Sequence, residues 1–203
     1  MRANIAIRRV FVWLHHWVGL AMTGFLVLVG LTGSLLAFNN ELERLISPQL
    51  FATSRPDATL LDLGALAARA ENMVPEAQVQ VVSLTASDQA VAQMMPRTNP
   101  ATEKPYQPNF DQLFLDPGTG EELGRRMNGD ITQGWINFMP FIYDLHWRLA
   151  LGTTGFWILG IAALAWTIGC FIGFYLTLPV AIENFWVRWK PGWLVKWRAG
   201  LPG

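Results

Sequence analysis

The chain has 203 residues, of which 52% are hydrophobic and only 15% are charged, and its acidic and basic residues cancel to a formal net charge of zero. Nothing in the sequence suggests nucleic-acid or nucleotide binding. The apolar residues are concentrated in two blocks, residues 10–38 and 149–178, and neither block contains Asp, Glu, Lys or Arg. Each block is longer than the roughly 20 residues that cross a bilayer as a helix. The composition therefore excludes an ordinary soluble domain and predicts a membrane protein with two transmembrane helices.

The charged residues are distributed unevenly around these blocks. Basic residues flank the two blocks on their outer sides: Arg2, Arg8, Arg9, Arg188, Lys190, Lys196 and Arg198. The segment between the blocks, residues 39–147, has 14 acidic and 7 basic residues. Because basic residues are retained on the cytoplasmic side, we expect both termini in the cytoplasm and residues 39–147 outside. A cleaved signal peptide is the alternative for the N-terminus, but the first block exceeds the apolar region of about 7–15 residues in such peptides, so we favour a retained anchor.

The first elements in chain order are a long helix and a small α+β unit. A helix is predicted over residues 5–46, and Ser47-Pro48 ends it. Residues 60–74 have apolar side chains at helical spacing and predict an amphipathic helix. Four short strands separated by turn residues are predicted over residues 78–84, 89–95, 110–115 and 121–126. The expected core of this unit consists of Leu63, Leu66, Val79, Val81, Leu113 and Leu115.

The remaining elements return the chain to the membrane. Residues 130–143 are rich in aromatic side chains and are expected to lie along the outer membrane surface. The second transmembrane helix is predicted to begin near residue 141. The predicted fold class is therefore membrane α-helical, with two transmembrane helices and an inserted α+β domain. Its four parts are the N-terminus with the first helix, the inserted domain, the second helix and a cytoplasmic interfacial tail, at residues 1–46, 47–140, 141–179 and 180–203.

Three histidines are the candidate functional residues, since an ionisable side chain at membrane depth is costly and marks function. His15 and His16 lie inside the first apolar block, and His146 lies at the mouth of the second. Histidine is a common ligand of metals and of haem iron. His15 leads a stripe of residues at helical steps: Gly19, Met22, Thr23, Leu26, Gly30, Gly33 and Ala37. Small residues in such a stripe favour either close helix packing or a flat macrocycle against the helix, whereas His16 points about 100° away.

Depth limits how these histidines can be used. His15 is about five residues from the cytoplasmic end of its helix, or roughly 8 Å, whereas His146 is at the outer end of a hydrocarbon core about 30 Å thick. Two ligands of one iron bring their nitrogens within roughly 4 Å of each other, so these two histidines cannot share an iron. If both bind haem, two haems are expected, each with a further ligand that this chain does not obviously contain. The alternative is that the histidines only bind lipid headgroups. The helical face expected below His146 consists of Ala150, Thr153, Thr154 and Trp157.

Four short stretches of the chain form a specific pattern when they are taken in order. They are residues 14–20, residues 30–42, residues 114–121, and residues 145–149 followed by Gly152 and Gly155. These stretches resemble four motifs of the PepSY-associated transmembrane family. In the same order, the motifs are the Leu-His-x-Trp-x-Gly-Leu opening of the first helix, the Gly/Phe/Glu-Leu exit from that helix, the Val-Asp-Pro-x-Thr-Gly-Glu turn and the Leu-His-x-x-Leu signature of the second helix. Each stretch is a loose match alone, but their order is specific.

The resemblance implies a function, a cofactor and a location. Members of this family include haem-containing siderophore-iron reductases of the bacterial inner membrane. The chain is therefore expected to be a haem-binding electron-transfer protein that reduces ferric siderophores in the periplasm, with a cytoplasmic or membrane electron donor. The implied axial ligands of two haem b groups, one near each membrane face, are His15 and His146, and the inserted domain resembles a PepSY domain. Since members commonly carry further spans, the chain is expected to be a short relative or a truncated product. Further spans or a second copy would then supply the missing ligands.

Two other functions stay open. The protein could be a membrane-anchored PepSY module that binds or regulates a periplasmic partner such as a peptidase, without redox activity. It could also be a subunit of a metal or siderophore permease, although two spans without an intramembrane carboxylate make this the least favoured function.

Overall fold

The computed structural model of the protein describes residues 2–53, 59–179 and 183–194. The parts of the predicted tail at residues 180–182 and 195–203, with Lys196 and Arg198, lie outside the described residues. The helices of the described part are α1 (Arg2–Ala37), α2 (Asn39–Ile46), α3 (Leu63–Met73), α4 (Phe138–Arg148), α5 (Gly152–Thr177) and α6 (Phe185–Trp189). The strands there are β1 (Ala77–Ala86), β2 (Gln89–Pro96), β3 (Gln112–Leu115) and β4 (Glu122–Arg126). They form two compact units, one from residues 1–30 and 153–203 and one from residues 31–152.

Two helices of the described part are long and apolar enough to cross a membrane, namely Ala6–Ala37 within α1 and the whole of α5. Both have a mean hydropathy of 2.0 over their most apolar window, yet only 6% and 11% of the residues in those windows are buried. The core helix of a soluble protein would bury such side chains, whereas a helix in lipid exposes them. Together with the separate sheet and helices, these two helices confirm the predicted fold class of two membrane helices with an inserted α+β domain.

The first unit is held by contacts between the N-terminal turns of α1 and the C-terminal end of α5. The Arg8 guanidinium donates hydrogen bonds to the carbonyl oxygens of Leu178, at 3.1 Å, and Leu176, at 2.6 Å. The Phe11 and Tyr175 rings pack edge to face with their centroids 5.5 Å apart. Since the last carbonyls of a helix lack intrahelical partners, Arg8 satisfies the end of α5. Arg8 and Phe11 are three residues apart and so define one face of α1.

The second unit contains a four-stranded antiparallel sheet with the strand order β1-β2-β3-β4. The four predicted strands and the predicted amphipathic helix agree with the observed bounds to within three residues. One face of the sheet packs with α3 around a core of Leu66, Ala70, Val74, Ala77, Ala90, Ala92, Met94, Phe110, Leu113 and Leu115. On the other face, Val91 and Phe114 pack against Leu50. The two central strands are therefore buried on both faces.

The predicted core is correct at four positions and wrong at two. The buried or partly buried positions are Val79, Leu66, Leu113 and Leu115. Val81 is 52% exposed, because the pairing of β1 with β2 shifts between Val79 and Val81. The extra residue, Gln80, reverses the alternation of the strand, so Val82 packs against the core instead. Leu63 is 47% exposed, because it begins α3 and lies about 60° around the helix axis from Leu66.

Both long helices differ from the prediction where they leave the apolar blocks. The helix expected over residues 5–46 is interrupted at Phe38, whose φ of −110° and ψ of 29° separate α1 from α2. The helix expected from about residue 141 is instead two helices, α4 and α5. They are separated because Leu149 and Ala150 adopt left-handed φ angles of 56° and 53°. This conformation costs roughly 1–2 kcal/mol for each residue that has a Cβ. Residues 149–151 are therefore a corner in the backbone.

A buried ion pair joins the sheet to α2. The Arg126 guanidinium pairs with the Glu43 carboxylate and donates hydrogen bonds to the Gln112 side-chain oxygen, at 2.7 Å, and the Ile136 carbonyl, at 3.0 Å. It lies 4.8 Å from the centroid of the Phe114 ring. The Arg126 and Glu43 side chains are only 7% and 12% exposed. One guanidinium thus connects β4, β3, α2 and the segment that precedes α4.

A second ion pair connects α2 with the turn between β1 and β2. Arg44 donates two hydrogen bonds of 2.6 Å, one to each carboxylate oxygen of Asp88. These bonds hold the pKa of Asp88 below its usual value and raise the pKa of Arg44. The Arg44 side chain is 43% exposed, so solvent weakens the pair, and its contribution to stability is at most about 1 kcal/mol.

Candidate functional site

His15 lies on the face of α1 that contacts α5. It follows Phe11 by four residues and Arg8 by seven, which places the three side chains on one face. Its ring packs against Gly173 of α5: a Cβ atom added to Gly173 would lie 2.9 Å from His15 Cε1 and 3.4 Å from Nε2. Since Cβ atoms essentially never approach other atoms so closely, a side chain at position 173 would displace the imidazole or the helix.

His16 lies on a different face of α1. It lines an open cleft of about 490 Å³ together with Arg8, Arg9, Val12 and Trp13. Its ring also packs edge to face with Trp17 at a centroid distance of 5.4 Å. The structure therefore confirms that His15 and His16 do not face the same pocket, and it places His16 beside basic and aromatic residues of the kind that anchor a helix at a membrane surface.

His146 lies in the last turn of α4 and belongs to the second unit. Its Nδ1 atom is 2.9 Å from the Oγ1 atom of Thr32 in α1, and Thr32 is only 4% exposed. A Cβ atom added to Gly33 would lie 3.1 Å from His146 Cε1, so this glycine also leaves room for an imidazole. The predicted face below His146 is not a continuous helical face, because the corner at Leu149 and Ala150 interrupts it.

The predicted small-residue stripes contact other helices at particular points. An added Cβ at Gly19 or Gly30 of α1, or at Gly169 of α5, would meet no atom of another helix within 4 Å in the described part of the chain. Gly33 and Gly173, in contrast, each lie against the imidazole of a residue on another helix. The stripes are therefore not continuous packing seams. The sequence indicated the histidines and the glycines separately, but which glycine meets which histidine depends on helix packing, for which a single sequence has no signal.

A cleft of about 440 Å³ opens on the same unit as His146. Its lining consists of Leu36, Asn39, Glu43, Arg126, Asn128, Met139, Pro140 and Tyr143. Glu43 and Arg126 neutralise each other, so the cleft presents amide and aromatic groups and no uncompensated charge. A smaller apolar cleft of about 350 Å³ is lined by Ile131, Gly134, Trp135, Phe138 and Phe141. The sequence had pointed to the aromatic residues of 135–143, but it gave no indication of Arg126 or Glu43.

The two sites offer single imidazole ligands. Among the described residues, no group of three or more His, Cys, Asp or Glu side chains could hold a metal ion. In the same part of the chain, every buried side-chain nitrogen or oxygen has a hydrogen-bond partner. A bare ion would therefore lack ligands here. Each imidazole can instead supply one nitrogen to a metal whose other ligands come from elsewhere, as an axial ligand does for a haem.

The comparison with known protein families agrees with the motifs. A family model described as the PepSY-associated TM region matches residues 12–199. The match includes both histidine sites, most of the two apolar helices and the whole inserted domain. No curated protein matches the chain.

Proposed function

The chain belongs to the PepSY-associated TM region family, and from that premise we propose that it is a haem-binding electron-transfer protein that reduces ferric siderophores. Its family and its two apolar helices make it a membrane protein. In this proposal the membrane is the bacterial inner membrane, both termini are cytoplasmic, and residues 39–147 are periplasmic. The electron donor lies in the cytoplasm or the membrane.

The observation that carries the proposal is that two histidines are each directed at a glycine of another helix. Gly173 and Gly33 leave the space that the His15 and His146 rings occupy. Headgroup anchoring, the alternative, accounts for His16 beside Arg9, but it gives no reason for an imidazole to face a glycine. Ionisable side chains between membrane helices mark function in most proteins.

Each residue has a defined role in this proposal. His15 and His146 would each hold one haem b from one side through a ring nitrogen. When bound, haem supplies an iron that takes up and passes on one electron at a time. The two glycines leave room for the imidazoles, and a position within the membrane would keep water away from the iron, which is one of the levers that set a haem potential.

A second iron ligand for each haem would come from outside this chain. Its sequence has three histidines, and His16 faces away from His15. Further spans or a second copy of the chain would therefore complete each haem. The ferric siderophore would meet the haem at His146, beside the clefts that Trp135 and Tyr143 line.

Single substitutions in the full chain test this proposal. His15→Ala and His146→Ala should each remove one of two haems, measured as haem absorbance per mole of purified protein. His146→Ala should also abolish reduction of ferric siderophore, and His15→Ala should block re-reduction from the cytoplasmic side. His16→Ala is the matched control, because it removes the adjacent imidazole from a different face, and it should retain the wild-type haem content.

Unchanged haem content in both His15→Ala and His146→Ala would show that the ligand assignment is wrong. The membrane-anchored PepSY module would then be the preferred function. In that case, the histidine variants should bind a periplasmic partner, such as a peptidase, as well as the wild type does.

A further inference from the structure

The contact between Thr32 and His146 has two chemically different forms. The Thr32 hydroxyl lies 2.9 Å from Nδ1 of the ring. Either the hydroxyl or the ring nitrogen could be the hydrogen-bond donor. If the hydroxyl donates, Nε2 must carry the ring proton in the neutral imidazole and cannot bind a metal. If Nδ1–H donates, Nε2 has a free lone pair and is ready to act as a ligand.

Other threonines of the apolar helices indicate which form occurs. The Thr23 hydroxyl donates to the Gly19 carbonyl at 2.9 Å, and the Thr167 hydroxyl donates to the Ala163 carbonyl at 2.9 Å. Threonine within a helix often gives its proton to the carbonyl of the preceding turn in this way. A hydroxyl has one proton to donate but two lone pairs. A threonine bonded to its own helix can therefore only accept from a neighbouring imidazole.

We infer that Thr32 is a positioning residue that accepts a hydrogen bond from Nδ1–H of His146 and so presents Nε2 as the metal ligand. The inference rests on the proposed function for the assignment of His146 as a haem ligand, whereas the hydrogen bond itself rests on the geometry. Thr32 is almost fully buried, where a hydrogen bond is stronger than in water. A histidine ligand whose other nitrogen donates to an acceptor is fixed in orientation and is more basic. Gly33 supports this geometry by leaving room for the ring.

The first experiment measures haem binding at His146 in the full chain. Thr32→Val keeps the shape of the side chain but removes the acceptor, and it should weaken haem binding at this site by about 10- to 100-fold, as the loss of such partners does elsewhere. The midpoint potential of that haem should rise, because a less basic imidazole stabilises the ferric state less. Thr32→Ser should restore both values. Thr167→Val makes the same chemical change in α5, where the hydroxyl donates to the Ala163 carbonyl of its own helix, and it should leave both values unchanged.

The second experiment measures the tautomer without haem. Nitrogen NMR of the haem-free full chain with labelled histidine, at alkaline pH, should show protonated Nδ1 and unprotonated Nε2 at His146, identified by the signals missing in His146→Ala. Thr32→Val should shift His146 toward the other tautomer. A wild-type Nε2–H tautomer, or a Thr32→Val protein with wild-type affinity and potential, would overturn the inference. Full haem content in His146→Ala together with the expected tautomer would refute the ligand assignment of the proposed function, and with it the role of Thr32 in metal binding, while the hydrogen bond from Nδ1–H to Thr32 would still stand.

Discussion

At the scale of single residues, Arg126 determines the arrangement of several segments at once. Its guanidinium is paired with Glu43 and hydrogen-bonded to Gln112 and to the Ile136 carbonyl. Removing one member of a buried ion pair leaves the other charge without compensation, and this usually costs more stability than the intact pair provides. The structure offers a close comparison, because the next residue back along β4, Arg125, forms an exposed pair with Glu122 at 2.7 Å.

We predict that Arg126→Met lowers the free energy of unfolding of the full chain by about 3–5 kcal/mol, because Glu43 remains buried without a partner. Denaturant unfolding in detergent, followed by circular dichroism, measures this loss. Arg125→Met is the control, and it should cost less than about 1 kcal/mol. The double variant Glu43→Met/Arg126→Met removes both charges and should recover part of the loss. Equal losses for Arg126→Met and Arg125→Met would contradict the prediction.

The sequence can indicate a site residue only where that residue is unusual within its own segment. His15 and His146 stand out because each is an ionisable residue in or beside an apolar block. Thr32, Gly33 and Gly173 are ordinary residues of membrane helices, and their roles depend on contacts with distant parts of the chain. His146 and Thr32, for example, are 114 positions apart. Spacing within one segment cannot reveal such a contact.

At the scale of elements, α5 presents two glycines one turn apart with different surroundings. An added Cβ at Gly173 would meet the His15 ring, whereas at Gly169 it would meet no atom of another described helix within 4 Å. Replacing glycine by alanine inside a helix favours the helix by up to about 1 kcal/mol. The intrinsic effect on α5 is therefore the same at both positions, and only the contact with His15 differs.

We predict that Gly173→Ala shifts the His15 ring signals in histidine-labelled, haem-free protein and lowers haem content, because the new methyl group displaces the imidazole. Gly169→Ala should change neither the spectrum nor the haem content. The comparison needs only NMR of the two variants and haem absorbance per mole. If both variants match the wild type, the imidazole does not lie against Gly173.

The periodicity of the sequence predicted the helices and strands of the inserted domain well, but it did not predict the irregular positions in the backbone. Strand-like segments separated by turn residues identified all four strands of the sheet, and helical spacing identified α3. The bulge at Gln80 and the corner at Leu149 and Ala150 escaped prediction for a common reason. Gln80, Leu149 and Ala150 are not glycine, proline or asparagine, which are the usual sequence signals of irregular backbone, although Gly152 just after the corner also has a left-handed φ of 58°.

At the scale of the whole molecule, the distribution of charge predicts an orientation that labelling can test. The turn between β1 and β2 contains the exposed Ser87. We predict that Ser87→Cys reacts with a membrane-impermeant maleimide added to the periplasmic side, because the acidic segment of residues 39–147 is expected to be translocated. The wild-type protein is the control, since its single cysteine, Cys170, lies within α5. Labelling of Ser87→Cys only after lysis would reverse the assigned topology.

The corner at Leu149 and Ala150 also determines how the chain tolerates changes in length. In an unbroken helix, an insertion or deletion of one residue turns every side chain beyond it by about 100°. Because α4 ends at the corner, the angle at which His146 meets Thr32 is set by contacts within residues 31–152 and not by the helical phase of α5. Evolution can therefore lengthen or shorten α5 to suit bilayers of different thickness while that imidazole keeps its orientation.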